Sequence, residues 1–244
     1  MQHEQFVSAI RSQCAALRSA AIEAGPEADV PTCPGWTVQG LVAHLARVQS
    51  WVRAALRDPT EQDLAAARPP EHWDDLLTWW DEQLNGLLEG VADPSAPAWL
   101  PFDRAPQTAR SWARRQAHEA AIHRLDAEHA RAGSADPNSV PALLFEPGFA
   151  ADGVEELIYW VVSSLAGWKA SNVSGTVLLH AADAGQTWTV RVEPGAPPKA
   201  EPDGLAVDVT VEGTADAVYR RLWGRPSHAS VTGEVGVLEP LRAP

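Results

Sequence analysis

The sequence predicts a protein of two domains: a four-helix bundle over residues 1–135 and a small α+β domain over 150–244 with a mostly antiparallel sheet. Three observations carry this reading. Apolar residues recur at steps of three and four through four segments of the first half. A turn-rich stretch, SADPNSVPALLFEPGFA, then breaks the pattern and marks a linker at about 136–149. Beyond it, short runs alternate apolar and polar residues with period two. At 244 residues the chain is long enough for one large domain or two of ordinary size.

The first helix is expected over 4–23, where Phe6, Ile10, Cys14, Leu17 and Ala21 form one stripe and Gly25-Pro26 ends it. The second follows VPTCPGWTVQGLVAHLARVQSW, residues 30–51. Pro31 and Pro34 keep the approach extended, and Thr37 is placed to cap the helix. Trp36 and Leu41 occupy the two positions of a hydrophobic staple. Val38, Leu41, Val42, Leu45 and Val48 continue the stripe to about Arg57, before Asp58-Pro59. The third helix, from about Glu71 to Val91, turns Trp73, Leu76, Leu77, Trp80, Leu84, Leu87 and Leu88 inward. Eleven tryptophans against two tyrosines and four phenylalanines is a skewed aromatic set, and helical spacing assigns several of them to the core. A connection carrying Pro94, Pro97, Pro101 and Pro106 leads to a fourth helix, Gln107 to Ala132.

In the second half, Asp152-Gly-Val-Glu155 resembles a capping box opening a fifth helix, with Leu157, Ile158, Val161, Val162 and Leu165 on one face. The runs GTVLLHA, TWTVRVE and LAVDVTVEG read as strands, TADAVYRRLWG as a short helix, and HASVTGE as a last strand. Helices on one face of such a sheet make an α+β domain.

Composition narrows the function. A formal charge of −13 argues against a nucleic-acid binder, which needs a basic surface. No apolar run nears the roughly 18 residues that span a bilayer. The N-terminal MQHEQFVSAIRSQ lacks the basic-then-apolar pattern of a secretory signal. Two cysteines, Cys14 and Cys33, make no disulfide framework and fit a reducing cytoplasm. Cys33, just ahead of a helix, is read as packing in the CPGW turn more than as a nucleophile.

The chemistry concentrates in RRQAHEAAIHRLDAE, residues 114–128. Residues four apart on a helix lie about 40° apart around its axis, and residues five apart about 140°. Glu119 and His123 are therefore neighbours, while His118 points elsewhere. His44, one turn from Leu41 and Val48, faces the bundle interior, where an imidazole needs a polar partner. Spacing alone leaves two readings open. These are satisfied polar residues of a helix bundle, or His44, Glu119 and His123 hold a divalent metal with a coordination position to spare, zinc, iron, nickel and manganese all being possible. Asp126, one turn after His123, is either solvent-facing or an acceptor for a ligand imidazole. His118 is read as a neighbour of the site or a surface residue.

CPGWTVQGLVAHLARV followed by HEAAIHRLDAE resembles the actinobacterial mycothiol-dependent maleylpyruvate isomerase family, whose N-terminal half is a DinB-like metal-binding bundle. FAADGVEELI, GTADAVYRRLWGR and VTGEVGVLEPL resemble the family's C-terminal domain, so the likeness runs nearly the whole chain. The resemblance implies that His44, Glu119 and His123 are the metal ligands, that the metal is typically zinc, and that mycothiol is the thiol cosubstrate. It implies a thiolate that adds to an activated double bond, rotation about the resulting single bond, and elimination to the trans product. Related members resemble thiol transferases that keep the adduct. Either chemistry needs a cation for an anionic substrate; Arg225 in LWGR is the candidate, a surface helix-capping role being the alternative. The expected partners are a small electrophile, maleylpyruvate or a similar acid, and a low-molecular-weight thiol, with no nucleic acid and no membrane. The rival reading is a non-catalytic module that keeps the bundle and binds a metal or ligand. Substrate identity and oligomeric state are not legible in these residues.

Overall fold

The computed structural model describes residues 1–60, 64–164, 166–202 and 206–243. The chain forms two compact units, Met1–Leu100 with Ala105–Ala135, and Pro101–Arg104 with Asp136–Pro244. Leu165 and Leu205, assigned by periodicity to the fifth helix and to a strand, lie outside the described residues.

The first unit contains α1 (His3–Ala24), α2 (Val38–Arg57), α3 (Trp73–Gly90) and α4 (Ala109–Ala132), with α1 packed along α4 and α2 against both α3 and α4. The stripe of α1 is buried as its spacing predicts, at Phe6, Ile10, Cys14, Leu17 and Ala21. Each fully buried large apolar side chain contributes roughly 1.5–3 kcal/mol. On α2 the Thr37 hydroxyl accepts from Gly40 N at 3.2 Å, the expected cap. Val48 is only half-buried, as are Trp73 and Leu84 on α3. Trp80 is buried and its indole N–H donates to Gln49 Oε1 at 2.9 Å, so the aromatic core carries its own polar partner.

Helix α4 differs from the others. Its neighbours reach it on nearly every side, and alanines at 109, 113, 117, 120, 121, 127 and 130 leave room for them. Arg115, Gln116, His118, His123 and Asp126 are buried on it as well. Polar groups in that setting must find partners inside the bundle, and that requirement builds the site described below. Gly133, at φ 62°, ends the helix in a left-handed cap, with Ser134 N bonded back to His129 O.

The second unit opens with α5 (Pro147–Glu156), which continues as a π-helical stretch, Leu157–Val162. The helix thus begins inside the segment read as linker, and Asp152 lies in its second turn instead of at its cap. Pro147 explains the earlier start, because its fixed φ suits the first helical position, where no N–H is needed. Strands β1 (Gly175–Ala181), β2 (Gln186–Glu193), β3 (Ala196–Glu201), β4 (Val209–Gly213) and β5 (Ser230–Gly233) form one sheet in the order β3-β2-β1-β4-β5. Every pairing is antiparallel except β1 with β4. Strand β3 is not among the expected strands, and its Pro197 and Pro198 disfavour a strand locally. It is tolerated at the edge, where both prolines fall at a register shift opposite Arg191–Glu193.

Helix α6 (Ala215–Leu222) is capped by Thr214, whose hydroxyl accepts from Ala217 N at 3.2 Å. Asp216 and Arg220, both 1 % exposed, form an ion pair one turn apart on it. Asp216 Oδ2 also accepts from Leu144 N and Phe145 N, each at 2.7 Å, and Arg220 Nη2 donates to Pro141 O at 2.9 Å. The pair therefore anchors the irregular 141–145 segment to the helix. Among the described residues, no helix is long and apolar enough to cross a membrane.

Candidate metal centre

The segment ahead of α2 folds into a tight loop. Val30 N bonds Trp36 O at 2.9 Å, Cys33 N bonds Val30 O at 2.9 Å, and Trp36 N bonds Cys33 O at 3.0 Å. Gly35 turns the chain at φ 85°, a conformation that favours glycine. The loop sets the start of α2, and so places His44 two turns along it, opposite α4.

There His44 Nε2 lies 3.2 Å from Glu119 Oε1, and His123 Nε2 lies 3.3 Å from the same oxygen. One donor atom from each of His44, Glu119 and His123 falls within 4.8 Å of the others, and among the described residues this is the group of such atoms close enough to share a cation. The chemistry of the set fits a divalent ion. Two imidazole nitrogens and a carboxylate oxygen are what zinc and its neighbours accept, and three protein ligands leave a position open. Two imidazole nitrogens aimed at one carboxylate oxygen is also the arrangement in which protons stand in for a cation.

Groups around the trio hold it in place. Arg115 Nη2 donates to Glu119 Oε2 at 2.7 Å, which leaves Oε1 for the histidines. His123 Nδ1 faces Asp126 Oδ2 at 3.0 Å, and Thr32 Oγ1 donates to Asp126 Oδ1 at 2.6 Å. Asp126, fully buried, is thus a partner of the His123 imidazole and not a solvent-facing acid. The Trp36 ring lies 5.0 Å from that of His44 and stacks at 6.2 Å and 21° on that of His123. The tryptophan expected to staple the helix start therefore covers the two imidazoles. His118 is buried with its ring edge-on to Phe6 at 6.3 Å, so the surface reading of that residue is corrected.

Electrostatics follow the geometry. Burial alone would raise the Glu119 carboxyl, but hydrogen bonds from His123 and His44, and the charges of His123 and Arg115, together hold it well below 4.5. For His123, burial disfavours the charged ring, yet hydrogen bonds and charge from Asp126 and Glu119 push it up to about 9. In metal-free protein the His123 imidazolium therefore stabilises the fold in full below the ordinary 6.5, and that contribution is lost as pH rises through about 9. Zinc requires the deprotonated ring, so its affinity should rise over the same interval. Thermal melts should thus move down with pH in chelator and up in zinc; parallel slopes would contradict the assignment.

Cys14 is buried, and that burial pushes its thiol up to about 12 despite a hydrogen bond from Gln49, so it is inert at neutral pH. Cys33 is half-buried in the loop. Arg225 belongs to the second unit, where it follows Gly224 (φ 68°) at the end of α6. It is half-buried, and its guanidinium donates to Trp223 O at 2.9 Å.

Two family profiles account for most of the chain: the mycothiol maleylpyruvate isomerase N-terminal domain matches residues 7–128, and the MDMPI C-terminal domain matches residues 148–240. The chain belongs to the mycothiol maleylpyruvate isomerase family. Within solved structures, it is similar to the mycothiol-dependent maleylpyruvate isomerase at 17 % identity and a TM-score of 0.59, covering 96 % of this chain and 95 % of that one. A histidine-to-alanine mutant of the same description aligns with a TM-score of 0.61 at 16 % identity and the same coverage. At that identity the likeness concerns the fold: a helical unit followed by an α+β unit with a mostly antiparallel sheet. No curated protein sequence matches the chain. Sequence reasoning missed Arg115 and Thr32. Arg115 was legible, since it stands four residues before Glu119 in RRQAHEAAIH. Thr32 was not, because its partner lies 94 residues away.

Proposed function

We propose that this member of the mycothiol maleylpyruvate isomerase family is a thiol-dependent isomerase whose His44, Glu119 and His123 hold one divalent metal, zinc being the expected ion. The observation that carries the reading is the convergence of those three donor atoms within 4.8 Å, on a fold that the family shares. When bound, such a metal would supply the charge that brings a thiol to its thiolate near neutral pH. The protein's own part is to keep the site ready. Asp126 fixes the His123 ring with Nε2 toward the site, Arg115 takes the outer oxygen of Glu119, and Trp36 packs its ring against both imidazoles.

The substrate class is a small cis-configured alkene activated by a carbonyl and carrying a carboxylate, maleylpyruvate or a relative. Mycothiol is the thiol that the family name points to. Addition of the thiol makes the double bond single, rotation follows, and elimination returns the thiol with the trans product. Arg225, in the second family domain, is the residue we assign to the carboxylate and to the enolate charge that develops on addition.

The test is isomerisation followed by absorbance, with zinc-loaded protein, a cis-enone acid, and mycothiol present or omitted. Turnover should require the thiol, and Arg225→Ala should lower kcat/KM by about 100-fold or more, the size of a lost oxyanion partner. Zinc binding without turnover under any thiol would instead identify a non-catalytic binding module.

A further inference from the structure

The 30–37 loop does more than start a helix. Thr32 and Trp36 sit on it four residues apart, and both reach His123, one through Asp126 and one by ring stacking. Each oxygen of Asp126 meets one of these residues: Oδ1 accepts from the Thr32 hydroxyl at 2.6 Å, and Oδ2 faces His123 Nδ1 at 3.0 Å. A hydroxyl-to-carboxylate bond of that length is charge-assisted and short. Held at one oxygen, a fully buried carboxylate cannot swing about its terminal bond, so its other oxygen stays aimed at the imidazole. The Thr32 end is fixed in turn by the backbone bonds that close the loop, Cys33 N to Val30 O and Trp36 N to Cys33 O.

We infer that Thr32 is a positioning residue, which through Asp126 sets the tautomer and orientation of His123 and ties the loop carrying Trp36 to the metal-binding face of α4. The Nδ1 proton of His123 is committed to Asp126, and the Nε2 lone pair is what remains for a cation. The inference rests on the metal-ligand reading of His123 and adds to it a residue outside the ligand set, 91 positions earlier in the chain by the numbers 123 and 32. Loss of the hydroxyl removes the short bond that holds Oδ1 of Asp126, and so loosens the aim of Oδ2 at the imidazole, without altering any ligand.

The experiment is a zinc affinity measured by competition against a chromophoric chelator, for the unaltered full chain and five variants. Thr32→Val should weaken zinc by about 10- to 100-fold, the loss typical of an outer partner of a metal ligand. Thr32→Ser, which keeps the hydroxyl, should restore affinity to near that of the unaltered protein. Asp126→Asn should weaken zinc on its own, and adding Thr32→Val to it should cost little more, because the hydroxyl acts through that carboxylate. Thr32→Ala serves the same purpose as Thr32→Val if the valine impairs folding. A Thr32 variant that melts earlier but binds zinc as before would overturn the proposal, as would a full additional loss in the Asp126→Asn background. If the unaltered protein took no zinc at all, the metal-ligand reading itself would fall, and the positioning role with it.

Discussion

His123→Ala should abolish stoichiometric zinc binding while leaving the helical content of the protein intact. The substitution removes one of three donor atoms, so the affinity loss should exceed the roughly 10- to 100-fold expected from disturbing an outer partner. The thiol-dependent turnover proposed above should fall to background in the same variant. Inside the bundle the change leaves Glu119 with His44 and Arg115, and leaves Asp126 with Thr32, so neither carboxylate is stranded. That residual pairing is why the fold should survive. Metal analysis of the purified variant checks the first expectation and circular dichroism the second. Zinc retained at one equivalent would remove His123 from the ligand set.

The largest loss of stability is expected in the second unit, from Arg220→Ala. Arg220 and Asp216 are each 1 % exposed, and the carboxylate already carries the Leu144 and Phe145 amides. Removing the arginine buries a charge without its counter-ion, which costs about 3–5 kcal/mol. The guanidinium also leaves the Phe145 ring, over which it sits at 5.9 Å, and the carbonyl of Pro141. Urea denaturation should show the drop directly. Arg191→Ala provides the contrast, because its contact with Glu193 is 3.8 Å long and more than two-fifths exposed on both sides, and it should change stability by less than about 1 kcal/mol. Equal effects from the two substitutions would mean that the buried pair does not anchor the 141–145 segment.

The ease with which each part could be read from the sequence follows from the range of the forces that make it. Helices α1 to α4 were legible because each buries a face at helical spacing, and their ends carry local signals such as Thr37, Gly25 and Gly133. Glu119 and His123 were legible for the same reason, being neighbours on one helix. His44 could be placed inside the bundle from its own helix, but its meeting with Glu119 depends on how α2 and α4 pack. Strand β3 was hidden because a partner strand overrides the local disfavour of two prolines. The start of α5 was missed because a capping-box pattern at Asp152 competed with Pro147, and the proline's fixed φ prevailed. Thr32 and Trp36 lie in a loop whose role is decided by contacts with residues far away in the chain, and no pattern within seven residues could announce that.

The prolines of β3 have a further consequence for the life of the chain before and after it folds. An outer strand with free amides is a template on which another strand can add, and such growth leads to fibrils and precipitates. Pro197 and Pro198 carry no amide proton, and the opposite border of the sheet is β5, only four residues long. A crowded population of newly made chains therefore meets two borders that give an incoming strand little to hold.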